Sequence, residues 1–259
     1  MILSGGYRSM GVYKIFFSPT YSTKEVVNIV GDVFGKSASI DLSIMYEKEN
    51  FNFCENDLCI VGVPSYGGRV PKVVLERMDS FKGNGAKAIL ITTYGNRAYE
   101  DTLLELQDFM EEHHFHCIAA IASVAQHSVF PKFAKGRPDV KDREELTLFA
   151  HRIQENQNGG VLKVPGHHPY KEYNGIPLKP KATSDCKLCG KCASVCPVRA
   201  ISREHPNQTD KNICISCMRC INICPTHSRT LNPLLSFVAS KKLEKVCKTS
   251  KSNELFLMR

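Results

Sequence analysis

The chain has 259 residues, of which 42% are hydrophobic and 23% charged, with 34 Lys and Arg against 26 Asp and Glu. This length suits one ordinary domain plus a small one, and no apolar run reaches the roughly 18 residues that would span a bilayer. Twelve cysteines, in a chain whose start, Met1–Gly11, shows no signal-peptide pattern, point to metal in a cytoplasmic setting and away from disulfides. Residues 1–9 read as a leader of little structural weight.

Val12–Phe17 is a short apolar run and predicts a buried strand. The loop Ser18-Pro19-Thr20-Tyr21-Ser22-Thr23 leads straight into a predicted helix over Lys24–Phe34, where Val26, Ile29, Val30 and Val33 recur at helical spacing. Hydroxyls at a helix N-terminus make either an anion site, using the free N–H groups, or a plain cap by Ser22 or Thr23; the loop alone supports both. Ser39–Ile44 predicts a second strand and Leu58–Pro64 a third. The turn Pro64-Ser65-Tyr66-Gly67-Gly68-Arg69-Val70-Pro71 follows, then a helix over Pro71–Phe81 with proline at its first turn. Ala88–Thr93 predicts a fourth strand, ending in Thr92-Thr93-Tyr94-Gly95-Asn96-Arg97-Ala98-Tyr99. Tyr99–His114 carries a helical stripe of Leu103, Leu106 and Met110. Ile118–Ala125 predicts a fifth strand, followed by His127 and Ser128, and Asp139–Gln154 a helix with Leu146, Phe149 and Ile153 on one side.

Apolar strands separated by helices imply a five-stranded parallel sheet with helices on both faces. Such sheets bind ligands at the carboxyl ends of their strands. The loops after strands one, three and four therefore become the candidate site. Two turns there set an aromatic beside glycine, which suits stacking on a flat isoalloxazine with backbone donors at its edge. No dinucleotide glycine fingerprint and no nucleoside-triphosphate loop occurs. His127 either exchanges a proton with such a ligand or is a solvated loop histidine. Helix-end polarity accounts for His113, His114 and His116. Cys54, Cys59, Cys117 and Cys247 read as buried or incidental thiols.

Composition divides the chain into a first domain over 10–156, a Gly- and Pro-rich linker over 157–180, a cysteine-rich module over 181–229 and a Lys-rich tail over 230–259 with Leu234, Leu235, Phe237 and Val238 as a short apolar face. Cys186, Cys189, Cys192 and Cys196-Pro197 have the spacing C-x2-C-x2-C-x3-C-P. Cys214, Cys217, Cys220 and Cys224-Pro225 repeat it 28 residues later. Three close thiolates wrap one face of a 4Fe–4S cubane, and the fourth reaches the neighbouring cluster. This assigns Cys186, Cys189, Cys192 and Cys224 to one cluster, and Cys214, Cys217, Cys220 and Cys196 to the other. Zinc sites pair cysteines differently. Thiolates on two oxidised clusters would offset about 4 of the +8 formal charges and a bound phosphomonoester about 2 more. Nucleic acid is therefore not expected as a partner; the Lys/Arg excess favours acidic redox proteins.

The cysteine module resembles bacterial two-cluster ferredoxins. The whole chain resembles the ferredoxin–flavodoxin fusion proteins of anaerobes. The resemblance lies in the S-P-T-G-T-T type loop, here Ser18 to Thr23 with Tyr21 in place of glycine, and in the G-G-R-x-P and Y-G-N-R turns, here Gly67 to Pro71 and Tyr94 to Arg97. It implies a flavodoxin-like α/β domain followed by a small α+β ferredoxin domain, with FMN and two 4Fe–4S clusters as cofactors. Phosphate contacts would come from Ser18, Thr20, Ser22 and Thr23, and ring contacts from Tyr66, Gly67, Gly68, Tyr94, Gly95 and Asn96. Tyr21 would lie along the flavin or reshape the loop, and Pro64, Ser65, Thr93, Arg97 and Tyr99 complete the two turns. The implied role is electron transfer with redox partner proteins. The alternatives are a flavin-dependent iron–sulfur reductase of a small-molecule acceptor and a redox sensor that uses the Lys-rich tail.

Overall fold

Leu58–Pro64 (β3) is the strand on which the first module is built, and its first six residues are buried. The computed structural model describes residues 10–44, 49–156 and 159–259, so the expectation for residues 1–9 lies outside it. Val12–Phe16 (β1) and Lys87–Tyr94 (β4) pair in parallel on either side of β3; Ala38–Asp41 (β2) flanks β1 and His116–Val124 (β5) flanks β4, also in parallel. The four helices are Ser22–Asp32 (α1), Lys72–Met78 (α2), Thr102–Glu112 (α3) and Val140–Glu155 (α4). Alternating side chains of the buried strands feed two cores. On one face Val26, Val27 and Val30 of α1 and Leu146, Ala150 and Ile153 of α4 cover Ile60, Ile89, Ile91 and Ile121. On the other, Val74 and Met78 of α2 and Leu103, Leu106 and Met110 of α3 cover Val61, Val63, Leu90 and Ala120. Gly62 lets α1 settle on β3, since a Cβ there would stand 2.2 Å from Val27 Cγ2. Cys59 and Cys117 are buried in the second core, where burial pushes both thiols up and keeps them protonated.

The sheet differs from the expected five strands by one addition. Glu254–Leu257 (β8), near the end of the Lys-rich tail, pairs antiparallel with β5, giving the order β2-β1-β3-β4-β5-β8. The tail is therefore part of the fold. Asn253 fastens it: its Oδ1 accepts from Val124 N–H at 2.9 Å and Ser123 Oγ at 3.1 Å, and its Nδ2 donates to Asp142 and Glu145 at 2.9 and 2.6 Å.

The second module is framed by Lys181–Ala182 (β6) and Arg229–Thr230 (β7), an antiparallel pair bracketing all eight motif cysteines. Each cysteine motif holds one four-residue helix, Lys191–Ser194 (α5) and Arg219–Asn222 (α6). Pro233–Cys247 (α7) follows, capped by the Asn232 side chain on Leu235 N–H. The linker is docked along α3. Asp101 accepts from the N–H groups of His167 and Lys171, and Asp108 from His168 and Tyr170.

Candidate functional site

The loop after β1 ends at Tyr21, the N-cap of α1, at φ 74°. Tyrosine in the left-handed region is strained, by roughly 1–2 kcal/mol, and the side chain makes no cap hydrogen bond. The first-turn N–H groups of α1 have no intrahelical acceptor. Ser18 is tied in place, accepting from Lys24 N–H at 3.0 Å and donating its own N–H to Ser43 Oγ at 2.6 Å. Thr23 Oγ1 and Thr93 Oγ1 share a buried 2.7 Å hydrogen bond that joins this loop to the end of β4. A cleft of about 70 Å³ opens here, lined by Thr20, Ser22, Thr23, Pro64, Ser65, Thr93, Gly95 and His127 among others.

Beyond it lies a larger, largely apolar cavity of about 650 Å³. The two share Ser65, Tyr66, Gly95, His127 and Ser128 as lining. Gly67 and Gly95 are closely covered: a Cβ on Gly67 would meet the Tyr173 ring at 2.1 Å, and one on Gly95 the His127 ring at 2.6 Å. Gly68 faces Glu100 in the same way. Arg69 pairs with Glu105 through two hydrogen bonds of 2.8 and 2.6 Å, and Arg97 pairs with Glu100 at 3.0 and 2.6 Å. Both arginines thus hold turns in shape, and Arg97 also lines the larger cavity. Tyr66 lies partly buried toward the second module, where burial, then Cys217, Tyr173 and Cys214, push its phenol well above the ordinary range.

Two expected ring contacts, Tyr94 and Asn96, and Tyr99 of the same turn also engage groups outside the cleft. The Tyr94 ring packs edge-on against Tyr99 at 5.1 Å. The Tyr99 hydroxyl donates to Glu254, and Asn96 donates to the carbonyls of Cys247 and Thr249, both at 2.9 Å, while accepting from Lys251 N–H. These three side chains hold the tail. Tyr94 and Gly95 also line the cleft.

The far wall of the larger cavity comes from outside the first module. It includes Ile176 and Leu178 of the linker, Leu234, Leu235, Val238 and Leu243 of α7, and Ile215 and Ser216. Ile215 also packs on the sheet core. Ile215 and Ser216 are the two residues between Cys214 and Cys217.

Cys196, Cys214, Cys217 and Cys220 line a single cavity with Pro180, Pro197, Val198, Ala200 and Ile201. Backbone N–H groups point at the sulfurs, Ala200 to Cys196 at 3.2 Å and Ser216 to Cys214 at 3.5 Å. The sequence duplication is repeated in the backbone: Leu188 and Ser216, Gly190 and Met218, and Arg199 and His227 all have positive φ, each pair 28 residues apart. Alternating left-handed residues turn successive N–H groups inward, which builds a concavity for an anionic cluster. Among the described residues no three His, Cys, Asp or Glu side chains converge on a single-ion position. Residues 172–229 match the 4Fe–4S dicluster domain family. The chain is a flavodoxin-like domain followed by a 4Fe–4S dicluster domain.

The dicluster domain holds the iron–sulfur clusters. It is similar to the thiosulfate reductase electron transfer subunit PhsB of Salmonella typhi, 44% identical over 52 residues that make up 18% of this chain and 27% of that protein. The chain thus spans about a quarter of the length of the curated relative it matches. The sheet domain overlays on a flavodoxin from the domain Archaea, with 15% identity and a TM-score of 0.42 over 56% of this chain and 97% of that one. It also overlays on the rubredoxin oxygen:oxidoreductase of the anaerobe Desulfovibrio gigas, with 16% identity and a TM-score of 0.41 over 56% of this chain and 35% of that one. The flavodoxin-like assignment rests on the strand order β2-β1-β3-β4-β5 with the cleft at the β1/β3 switch point. No helix among the described residues is long and apolar enough to cross a membrane.

Several residues of the site carry no signal in the sequence. Arg77 of α2 donates to the carbonyls of Leu42 and Pro197, and Arg219 of α6 donates to the Ser43 carbonyl at 3.4 Å. Each crosses between modules in the opposite direction. Arg219 occupies an unspecified position of the cysteine motif, and Arg77 one helix turn among many; only the docked modules give them a role.

Proposed function

We propose that this chain transfers electrons between FMN and its two 4Fe–4S clusters. The cavity between the modules is the observation that carries the proposal. One side is Tyr66, Gly67, Gly95 and His127, at the sheet edge where flavodoxin-like folds bind ligands. The other is the Ile215–Ser216 turn between two thiols of the Cys196, Cys214, Cys217 and Cys220 set. A flat ring seated there would stand one turn of backbone from a cluster. The residues fit FMN at both ends: N–H and hydroxyl groups of Thr20, Ser22 and Thr23 for the phosphate, and glycine backbone with apolar walls for the ring.

FMN, when bound, supplies a centre that exchanges electrons singly or in pairs, and the clusters accept one each. The chain's own part is to orient and exclude water. Leu234, Leu235 and Val238 close the cavity from the α7 side. We assign Cys214, Cys217, Cys220 and Cys196 to the cluster facing the flavin, and Cys186, Cys189, Cys192 and Cys224 to the outer one. Redox proteins as partners and a cytoplasmic setting, where thiolates stay reduced, belong to the same proposal.

Addition of FMN to the cluster-loaded chain should give a 1:1 complex with quenched flavin fluorescence. Dithionite should then bleach flavin and cluster absorbance together. A cluster-loaded chain that takes up no FMN would falsify the relay. The width and apolar lining of the cavity favour a second reading, reduction of a small apolar acceptor at the flavin. Turnover of such an acceptor with dithionite as donor supports it; reduction of partner proteins alone supports the carrier. The third alternative, a redox sensor, loses ground because the tail is engaged by Asn96 and β5.

A further inference from the structure

The duplication that relates the two cysteine motifs also relates the segments that follow them. At the same 28-residue spacing, Val198, Ala200 and Ile201 correspond to Thr226, Ser228 and Arg229. The first three line the cavity of Cys196, Cys214, Cys217 and Cys220 with apolar groups. Their counterparts are polar and lie beside other thiols. Thr226 Oγ1 shares a hydrogen bond with Cys224 Sγ at 3.7 Å and another with Ser228 Oγ at 2.8 Å. Arg229 is 2% exposed, and its Nη2 donates to Cys192 Sγ at 3.5 Å. Its Nε has no hydrogen-bond partner among the described residues, and no carboxylate pairs with it among the described ion pairs. A buried cation is costly unless an anion balances it, and the group Arg229 touches is a cluster thiol. Two other cations of this module are directed at carbonyls: Lys179 donates to that of Cys214, and Arg219 to that of Ser43.

The geometry points to Arg229 as the residue that stabilises the reduced form of the cluster on Cys186, Cys189 and Cys192, making it the easier of the two to reduce. Cys192 belongs to this first trio whether or not the fourth cysteines cross. With four thiolates an oxidised cluster carries about two negative charges, and a single added electron brings one more. A guanidinium on one of the sulfurs favours the more negative form, since net charge and hydrogen bonds to sulfur set these potentials. Thr226, beside Cys224 of the same assigned set, acts in the same direction. The charge of Arg229 also opposes the burial that pushes the Cys220 thiol up, so the second cluster feels it too, but the sulfur contact is with Cys192. In the proposed relay the first-trio cluster stands away from the flavin, and electrons entering at the flavin would come to rest at the far end. That corollary rests on the proposed relay; the effect of Arg229 on the cluster does not need the flavin.

Potentiometric titration of the cluster-loaded full chain with dithionite, followed by electron paramagnetic resonance and with no flavin added, tests this. Two one-electron steps are expected, and the step displaced or lost in Cys186→Ser belongs to the first trio. In the wild type that step should be the upper one. Arg229→Gln should lower its reduced-to-oxidised ratio at a fixed potential by about tenfold, the scale of one charge-assisted hydrogen bond, or ~59 mV for one electron. The other step should move less, and Arg229→Lys should recover part of the loss. Arg229 also braces the chain at Pro206, Gln208 and Thr209. Thr209→Val removes a bracing bond and keeps the charge, so it should leave both ratios within about twofold. Equal displacement in Thr209→Val and Arg229→Gln would reduce Arg229 to a brace. Equal displacement of both steps in Arg229→Gln, no displacement of either, or a first-trio step that is the lower one in the wild type would each overturn the assignment. Iron at the wild-type level is the control for assembly. If Arg229→Gln loses iron, pulsed resonance of the wild type labelled with nitrogen-15 arginine decides: guanidinium coupling on the reduced first-trio signal supports the role of Arg229, and its absence overturns it.

Discussion

His127 lines both the small cleft and the large cavity, with its ring pressed on Gly95. Its Nδ1 accepts from the N–H groups of Val129 and Phe130 at 3.2 and 3.3 Å, which leaves the ring proton on Nε2. Burial, and then the Arg97 guanidinium, lower its pKa from 6.5 to about 4. The ring is thus a neutral donor at neutral pH, better suited to hold a hydrogen bond than to release a proton. A group whose folded pKa is depressed in this way costs stability where the unfolded chain binds the proton and the folded chain does not. That cost is absent above pH 6.5 and grows as the pH falls toward about 4. His127→Asn should remove this part of the acid sensitivity. Urea midpoints at pH 7.5 and 5 measure it, and equal losses in variant and wild type would show that His127 does not carry it.

The elements of the sheet were legible because their signals are local. Short apolar runs gave β1, β3, β4 and β5, and the 3.6-residue stripes gave α1, α3 and α4, with ends displaced by a few residues where capping sets the boundary. The strand β8 was not legible. Glu254-Leu255-Phe256-Leu257 is a four-residue run without alternation, and its strand identity comes from the open edge of β5. The Y-G-N-R turn was ambiguous for a chemical reason: the amide of Asn96 suits a flavin edge and a peptide chain equally, and here it takes the peptide. The tail's attachment is accordingly concentrated in Asn253, which is buried and makes four hydrogen bonds on two elements. Asn253→Ala should cost about 2–4 kcal/mol, because Val124 N–H and Ser123 Oγ lose their acceptor inside the fold. Urea denaturation gives the number. A loss below about 1 kcal/mol would mean that β8 is held by its ladder alone.

At the scale of the whole molecule, the two modules share a large cavity and are crossed by Arg77 and Arg219, and the linker is fixed on α3 rather than left free. The cysteine spacing could announce two clusters but not which of them faces the sheet, since that depends on how the modules dock. Here Cys214, Cys217 and Cys220 line one cavity with Cys196 from the other motif, and the Ile215–Ser216 turn between Cys214 and Cys217 lines the cavity between the modules. Pro197, next to Cys196, receives Arg77 from α2, so this cysteine is anchored to the first module. The arrangement makes the two fourth cysteines unequal. Cys196→Ser should disrupt the inner cluster while leaving the one on Cys186, Cys189 and Cys192 in place, with iron falling from about eight toward four atoms per chain. The spin–spin broadening of the reduced pair should disappear from the electron paramagnetic resonance spectrum, and a reduced flavin should no longer deliver electrons to the remaining cluster. Cys224→Ser should lose the same amount of iron yet keep flavin-to-cluster transfer, because the Ile215–Ser216 turn stays wrapped on its cluster beside the cavity. If the two variants exchange these behaviours, the ligation is uncrossed or the flavin faces the other cluster; Mössbauer and resonance spectra of the double variant with Cys186→Ser then tell which.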